Sequence, residues 1–154
     1  MMYATVLWAH SWVRWVILLS GLVVWFRAIG SATARRPWTS TDELWGLLFI
    51  ISLDVQLLLG VVLYAFLSPF TAAAFLNFGE AMGNSSLRFW AVEHPFGMLI
   101  AIALAHVGRA KARRASPDTR RHRLVTIFVG LALVIAIASI PWPFTPVARG
   151  LVRF

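Results

Sequence analysis

The sequence predicts an all-α fold, an integral membrane four-helix up-down bundle with its N-terminus and C-terminus on the non-cytoplasmic side. Hydrophobic residues make up 60% of the 154 residues and charged residues only 13%, whereas a soluble domain carries about 25% charged residues. Four apolar runs are long enough to cross a bilayer, which takes about 17–25 helical residues. The basic residues collect between alternate runs, as membrane topology requires.

The four apolar runs cover about residues 4–26, 44–67, 87–108 and 124–140. They are predicted to be helices because lipid offers no hydrogen-bond partner to the backbone, and because they lack the alternation of a barrel strand. The connections are short, which favours sequential helices as neighbours. We therefore expect a single transmembrane domain over residues 1–154.

The connecting segments carry recognisable helix boundaries. Segment 27–43 ends in hydroxyl residues from Thr39 followed by two acids, a pattern typical of a helix start. Asn84 and the serines after it are a suitable cap for the third helix. Pro141 ends the fourth helix, and the aromatic residues around it favour an interface.

Charge distribution predicts the orientation. Ten of the fourteen basic residues lie in segments 27–36 and 109–123, so these loops are expected in the cytoplasm, with loop 68–86 and both termini outside. The net charge of +8 does not indicate a nucleic-acid partner, because both basic segments lie between apolar runs. The absence of cysteine excludes disulfides, thiolate-ligated clusters and thioether-attached haem.

Ionisable residues at membrane depth are expensive, so each needs a reason. Arg14 lies near the middle of the first helix and Asp54 near the middle of the second. We expect them to form an ion pair, because a buried charge persists mainly when it is paired. This pair is either structural, part of a proton relay, or a device for steering an acidic group of a cofactor.

Two histidines are matched in depth. His10 lies one turn from Arg14, roughly 8 Å outward of the midplane, and His94 on the third helix lies roughly 6 Å outward. Two imidazoles at one level on two helices can supply both axial ligands of a haem b. Alternatively, each imidazole only hydrogen-bonds a neighbouring carbonyl or hydroxyl.

Several neighbours of these histidines are candidate site residues. Pro95 removes one backbone N–H and is expected to open the helix near Ala91. Glu93 either orients an imidazole, carries protons, contacts a quinone, or is protonated and bonded across helices. Arg14 or Arg88 is a candidate for holding haem propionates.

Weaker signals complete the list. His106 and His122 could form a second ligand pair near the cytoplasmic end. Gln56, Gly60 and Tyr64 form a stripe at four-residue spacing, and Gly60 would let a helix or a flat ring approach. Plain helix packing is the favoured explanation of such glycines, ahead of a cofactor groove.

Four segments resemble a group of small bacterial four-helix membrane proteins described as cytochrome b-like: HSWVRW (10–15), QLLLGVVLY (56–64), FWAVEH (89–94) and IPWPF (140–144). The resemblance implies a haem b or quinone-linked role, with His10, Arg14, Glu93 and His94 as matching positions. It also implies the inner membrane of a bacterium. The group often has a histidine where this chain has Asp54, so the ligand pair implied here is His10 and His94.

Three functions follow as hypotheses. The first is a haem b electron-transfer protein or subunit that works between a quinol and a redox partner. The second is a cofactor-free accessory subunit of a larger membrane complex. The third is a transporter or proton conductor using the buried charges, disfavoured because no half-helix repeat is visible. A stand-alone enzyme is less expected, since no nucleophile elbow or phosphate loop is present.

Overall fold

The computed structural model describes residues 1–147, and within them the chain is helical with no strand. Its helices are α1 (Met2–Ala34), α2 (Ser40–Val62), α3 (Pro69–Leu76), α4 (Phe78–Gly83), α5 (Ser85–Arg88), α6 (His94–Arg113) and α7 (Asp118–Ala138). Two single π-helical turns, Leu63–Leu67 and Phe89–Glu93, continue α2 and connect α5 to α6.

Four helical stretches are long and apolar enough to cross a membrane. We call them span 1 (Met2–Ala34), span 2 (Ser40–Leu67), span 3 (Ser85–Arg113) and span 4 (Asp118–Ala138). The predicted all-helical class is confirmed, and so is the prediction of four helices that are long and apolar enough to span a membrane. The C-terminus, which is predicted on the non-cytoplasmic side, lies outside the described residues.

The spans are longer at the basic end than the apolar runs suggested. Span 1 continues to Ala34, where Arg35 ends it in a left-handed conformation with φ 52°. Span 3 continues to Arg113, so the loops predicted over 27–43 and 109–123 shrink to a few residues each. The helices extend beyond their apolar runs because ion pairs stabilise these ends. Arg27 contacts Asp42 at 2.8 Å, and Arg109 contacts Glu43 at 2.5 Å.

Capping follows the sequence pattern. The Thr39 side chain accepts a hydrogen bond from the Asp42 N–H at 3.3 Å, and the Asp42 carboxylate accepts from the Thr39 N–H at 2.9 Å. This reciprocal capping box satisfies two backbone donors at the start of span 2. The Asn84 side chain caps span 3 by accepting from the N–H groups of Ser86 and Leu87.

The bundle packs tightly along three of its four sides. Span 1 packs extensively on spans 2 and 4, and span 3 packs on span 4. Buried side chains from all four spans form the core, including Ile17, Phe49, Leu53, Ala105 and Leu133. Spans 2 and 3 contact one another much less. We call this looser side of the bundle the 2–3 seam, and it is where the polar features described next lie.

Candidate functional site

The main cavity of the bundle lies beside the 2–3 seam, toward the end that carries α3. It has a volume of about 420 Å³ and is lined by residues of spans 1, 2 and 3. His10 and Gln56 lie on its inner side, whereas the exposed apolar side chains of Val61, Phe96 and Leu99 form its rim. Its size falls in the range of small-molecule sites.

His94 is aimed by an irregular stretch of span 3. Pro95 has no N–H, so the carbonyl of Ala91, four residues earlier, loses its usual helical donor. The chain forms a π-helical turn over Phe89–Glu93, and the Tyr64 hydroxyl of span 2 donates to the freed Ala91 oxygen at 2.8 Å. The predicted opening of the helix near Ala91 is confirmed.

The orientation of the His94 ring is fixed by the backbone of Ser139, the residue that follows span 4. Its Nδ1 lies 2.7 Å from the backbone oxygen of Ser139. A carbonyl can only accept, so Nδ1 carries the proton and donates. This arrangement is typical of metal-ligating histidines, since a bond from one ring nitrogen orients the ring and presents the other nitrogen.

His10 of span 1 lies against His94. Their ring centroids are 6.3 Å apart and their planes make an angle of 68°. His10 lies beside Gly60 of span 2, where an added Cβ would be 3.4 Å from the His10 Cε1 atom, an ordinary van der Waals contact. The histidine pair predicted from matched depth is therefore brought together at the cavity.

A smaller enclosed void of about 50 Å³ extends inward from the pair. It is lined by both histidines and by Arg14, Gln56 and Trp90, among others. Within the part of the chain that the structure describes, the buried Nδ1 of His10 and Oε1 of Gln56 have no hydrogen-bond partner. The inner end of the site thus contains polar atoms that a ligand could address.

The expected ion pair between Arg14 and Asp54 is wrong. Asp54 instead lies 2.8 Å from the Nε2 atom of His106, across the 2–3 seam. The reason is rotational: residues two apart on a helix point about 200° away from each other, and span 2 turns Gln56, not Asp54, toward Arg14. The Arg14 guanidinium lies over the Trp15 ring, 5.5 Å from its centroid.

Two further candidates lie outside the cavity lining. Arg88 donates from Nε to Glu93 at 2.6 Å and from Nη1 to the Met82 carbonyl at 3.0 Å. Both side chains of this pair are exposed. The orienting role considered for Glu93 belongs to the Ser139 carbonyl, and Arg88 already has an acidic partner.

The second ligand pair considered from sequence, His106 and His122, is not assembled. His106 is half-exposed at the 2–3 seam beside Asp54. His122 is fully buried at the basic end, where its ring packs on Trp38 with a centroid distance of 4.9 Å. The two imidazoles therefore have different neighbours and cannot act on one ion.

The donor set fits a haem better than a bare metal ion. No group of three or more His, Asp or Glu side chains that could hold a metal occurs among residues 1–147. A haem supplies its own equatorial nitrogens and needs only two axial ligands. The ring centroids of His10 and His94 lie 6.3 Å apart, a separation that ordinary packing of two rings also gives.

Sequence reasoning missed two features of the site. The short helices α3 and α4 fold over the outer end of the bundle, and Thr71 of α3 lines the cavity. The Ser139 carbonyl was also missed, because a backbone partner leaves no mark in the residue types. Pro69 after Ser68 was the available signal for α3, since serine caps and proline at the first position favour a helix start.

Comparison of the chain with protein-family models, with curated proteins and with solved structures found no match.

Proposed function

We propose that this protein is a membrane haem b-binding electron-transfer protein, or a subunit with that role, in which His10 and His94 are the axial ligands. One observation carries the proposal. Two imidazoles from different spans meet at 6.3 Å beside a cavity of about 420 Å³ in an otherwise apolar bundle. Intramembrane ionisable residues generally mark function, because their burial is costly.

Four other residues of the site have roles in this proposal. The Ser139 carbonyl orients His94, Gly60 lies beside the His10 ring, and Trp90 forms part of the wall. Arg14 is the candidate for holding a propionate, since it lines the inner void with both histidines. When bound, haem supplies one-electron chemistry, and the apolar surroundings keep water from the iron.

The cellular setting is part of the proposal. The chain is placed in the inner membrane of a bacterium as a multi-pass protein, with the basic end in the cytoplasm and both termini outside. A membrane quinone is proposed as one electron partner, because it is a lipid-soluble carrier available at this depth. The other partner is a redox protein or a neighbouring membrane subunit.

A second function has its own support. The two imidazoles already contact each other edge to face, and the basic end is held by ion pairs from Glu43 to Arg109 and Arg121. A cofactor-free accessory subunit of a larger complex would need no more than these structural contacts. The two functions differ in one observable, the absorbance of the purified protein.

The test measures haem content by pyridine haemochrome spectra of the purified chain and three variants. We expect His10→Ala and His94→Ala to lose most of the bound haem, because each removes one axial ligand. His106→Ala is the matched control, since it removes the same side chain at another site of the seam and should retain haem. Haem-free wild-type protein would support the accessory subunit instead, and equal haem in all three variants would show that His10 and His94 are not the ligands.

A further inference from the structure

Asp54 and His106 form a polar pair on the outer surface of the bundle at membrane depth. Asp54 lies fourteen residues from the start and thirteen from the end of span 2, so it is near the middle of that helix. The Asp54 side chain is 49% exposed and the His106 side chain 44% exposed. This pair, which we call the seam dyad, is independent of the haem ligands.

The surroundings of the seam dyad are apolar and exposed. Ile51, Val55 and Leu58 flank Asp54 on span 2, and Val107 follows His106 on span 3. If a single copy lay alone in a bilayer, these side chains would contact lipid tails, and a half-exposed carboxylate among them would be costly. Ionisable groups in spanning helices almost always face protein or water, so something other than lipid covers this face.

The hydrogen bonding of the dyad indicates what covers it. One carboxylate oxygen of Asp54 and the Nε2 atom of His106 satisfy each other at 2.8 Å. Within residues 1–147, the other Asp54 oxygen and the His106 Nδ1 atom have no hydrogen-bond partner. The dyad therefore offers one acceptor and, as an imidazolium, one donor.

We propose that a second copy of this chain covers the 2–3 seam, so that the protein is a two-fold symmetric dimer in the membrane. A two-fold axis brings the same patch of both copies together. Each His106 can then donate to the Asp54 of the other copy, which closes a ring of four hydrogen bonds between the two dyads. Interhelical hydrogen bonds of this kind hold helices together in lipid, where apolar contact alone supplies little.

The chain contains no cysteine, which permits a clean cross-linking test. Leu58→Cys places a thiol one turn from Asp54, on a side chain that is 67% exposed. Val134→Cys on span 4 is the matched control, because Val134 is 66% exposed on a different face. Under mild oxidation in native membranes, we expect Leu58→Cys to form a disulfide-linked dimer and Val134→Cys to remain monomeric.

A second measurement removes the dyad itself. His106→Ala and Asp54→Ala should each weaken self-association in lipid nanodiscs or bicelles by about tenfold, since each substitution removes both symmetry-related hydrogen bonds. His106→Ala should still bind haem as the wild type does, whereas His94→Ala should lose haem and remain dimeric. The proposed dimer and the proposed haem site can thus be disproved independently of each other.

Three outcomes would overturn the dimer. Equal cross-linking at Leu58→Cys and Val134→Cys would indicate random collision. Cross-linking of Leu58→Cys to a different protein would assign the face to another subunit. Unchanged self-association in Asp54→Ala and His106→Ala would show that the dyad does not hold copies together.

Discussion

Single polar atoms decide much of the local geometry in this bundle, because lipid and apolar neighbours cannot satisfy them. The Tyr64 hydroxyl reaches 27 residues along the sequence to the Ala91 carbonyl that Pro95 leaves without a donor. The Ser139 carbonyl, near the end of span 4, accepts from His94. Both bonds cross between spans, so each ties one helix of the cavity to another.

Replacing Tyr64 with phenylalanine removes only the hydroxyl and leaves the ring. We expect Tyr64→Phe to destabilise the protein by about 1 kcal/mol, because the buried Ala91 oxygen then has no donor. Thermal or denaturant unfolding in detergent, followed by circular dichroism, measures the loss.

A double-mutant cycle separates this bond from general packing. Pro95→Ala restores a backbone N–H that can reach the Ala91 carbonyl, so Tyr64→Phe should cost clearly less in that background. An equal cost in both backgrounds would show that the hydroxyl does not serve the carbonyl freed by Pro95.

At the scale of elements, glycine sets how closely spans 3 and 4 approach. A Cβ on Gly108 would meet the Cβ of Phe128 and would lie 2.9 Å from its Cγ. These atoms are next to the backbone of span 4, so rotation of the ring cannot relieve the contact. The helices would have to separate, as is typical where small residues pack in membranes.

We therefore expect Gly108→Ala to destabilise the bundle by about 1–3 kcal/mol through overpacking. Gly30→Ala is the control, because a Cβ there meets no atom within 4 Å and alanine favours the helix. Unfolding midpoints of both variants in the same detergent give the comparison. A Gly108→Ala protein as stable as the Gly30→Ala protein would contradict the close approach.

The elements themselves were predictable, but their ends and rotations were not. Hydropathy locates each span because about 20 apolar residues are needed to cross a bilayer. It does not report that Arg27 stays helical through its bond to Asp42. The estimated depths of His10 and His94 correctly predicted that the two rings lie together. The same estimate wrongly paired Arg14 with Asp54, because depth carries no information about the direction in which a side chain points.

At the scale of the whole molecule, the bundle is closed on three sides and loose on the fourth. The cavity and the seam dyad both lie along that fourth side. A protein that needed only a scaffold would gain stability by packing spans 2 and 3 as tightly as the others. The looser seam therefore supports an arrangement in which non-protein groups or a second copy complete the packing.

The charge at the two ends of the molecule makes a prediction about its orientation. At the basic end, Asp42, Glu43 and Asp118 face the ten basic residues of segments 27–36 and 109–123, which leaves a clear positive excess. Within residues 1–147, the opposite end carries α3 and α4, and its charged side chains include Glu80, Arg88 and Glu93. Because basic residues are retained in the cytoplasm, the basic end should face it.

Single cysteines report this orientation, since the wild-type chain has none. Ala34→Cys lies at the exposed basic end of span 1, and Gly83→Cys lies at the exposed end of α4 on the opposite side. In spheroplasts, a membrane-impermeant maleimide should label Gly83→Cys at once and Ala34→Cys only after the membrane is opened. Labelling in the reverse order would show that the protein has the opposite orientation in the membrane, with the proposed haem site nearer the cytoplasm.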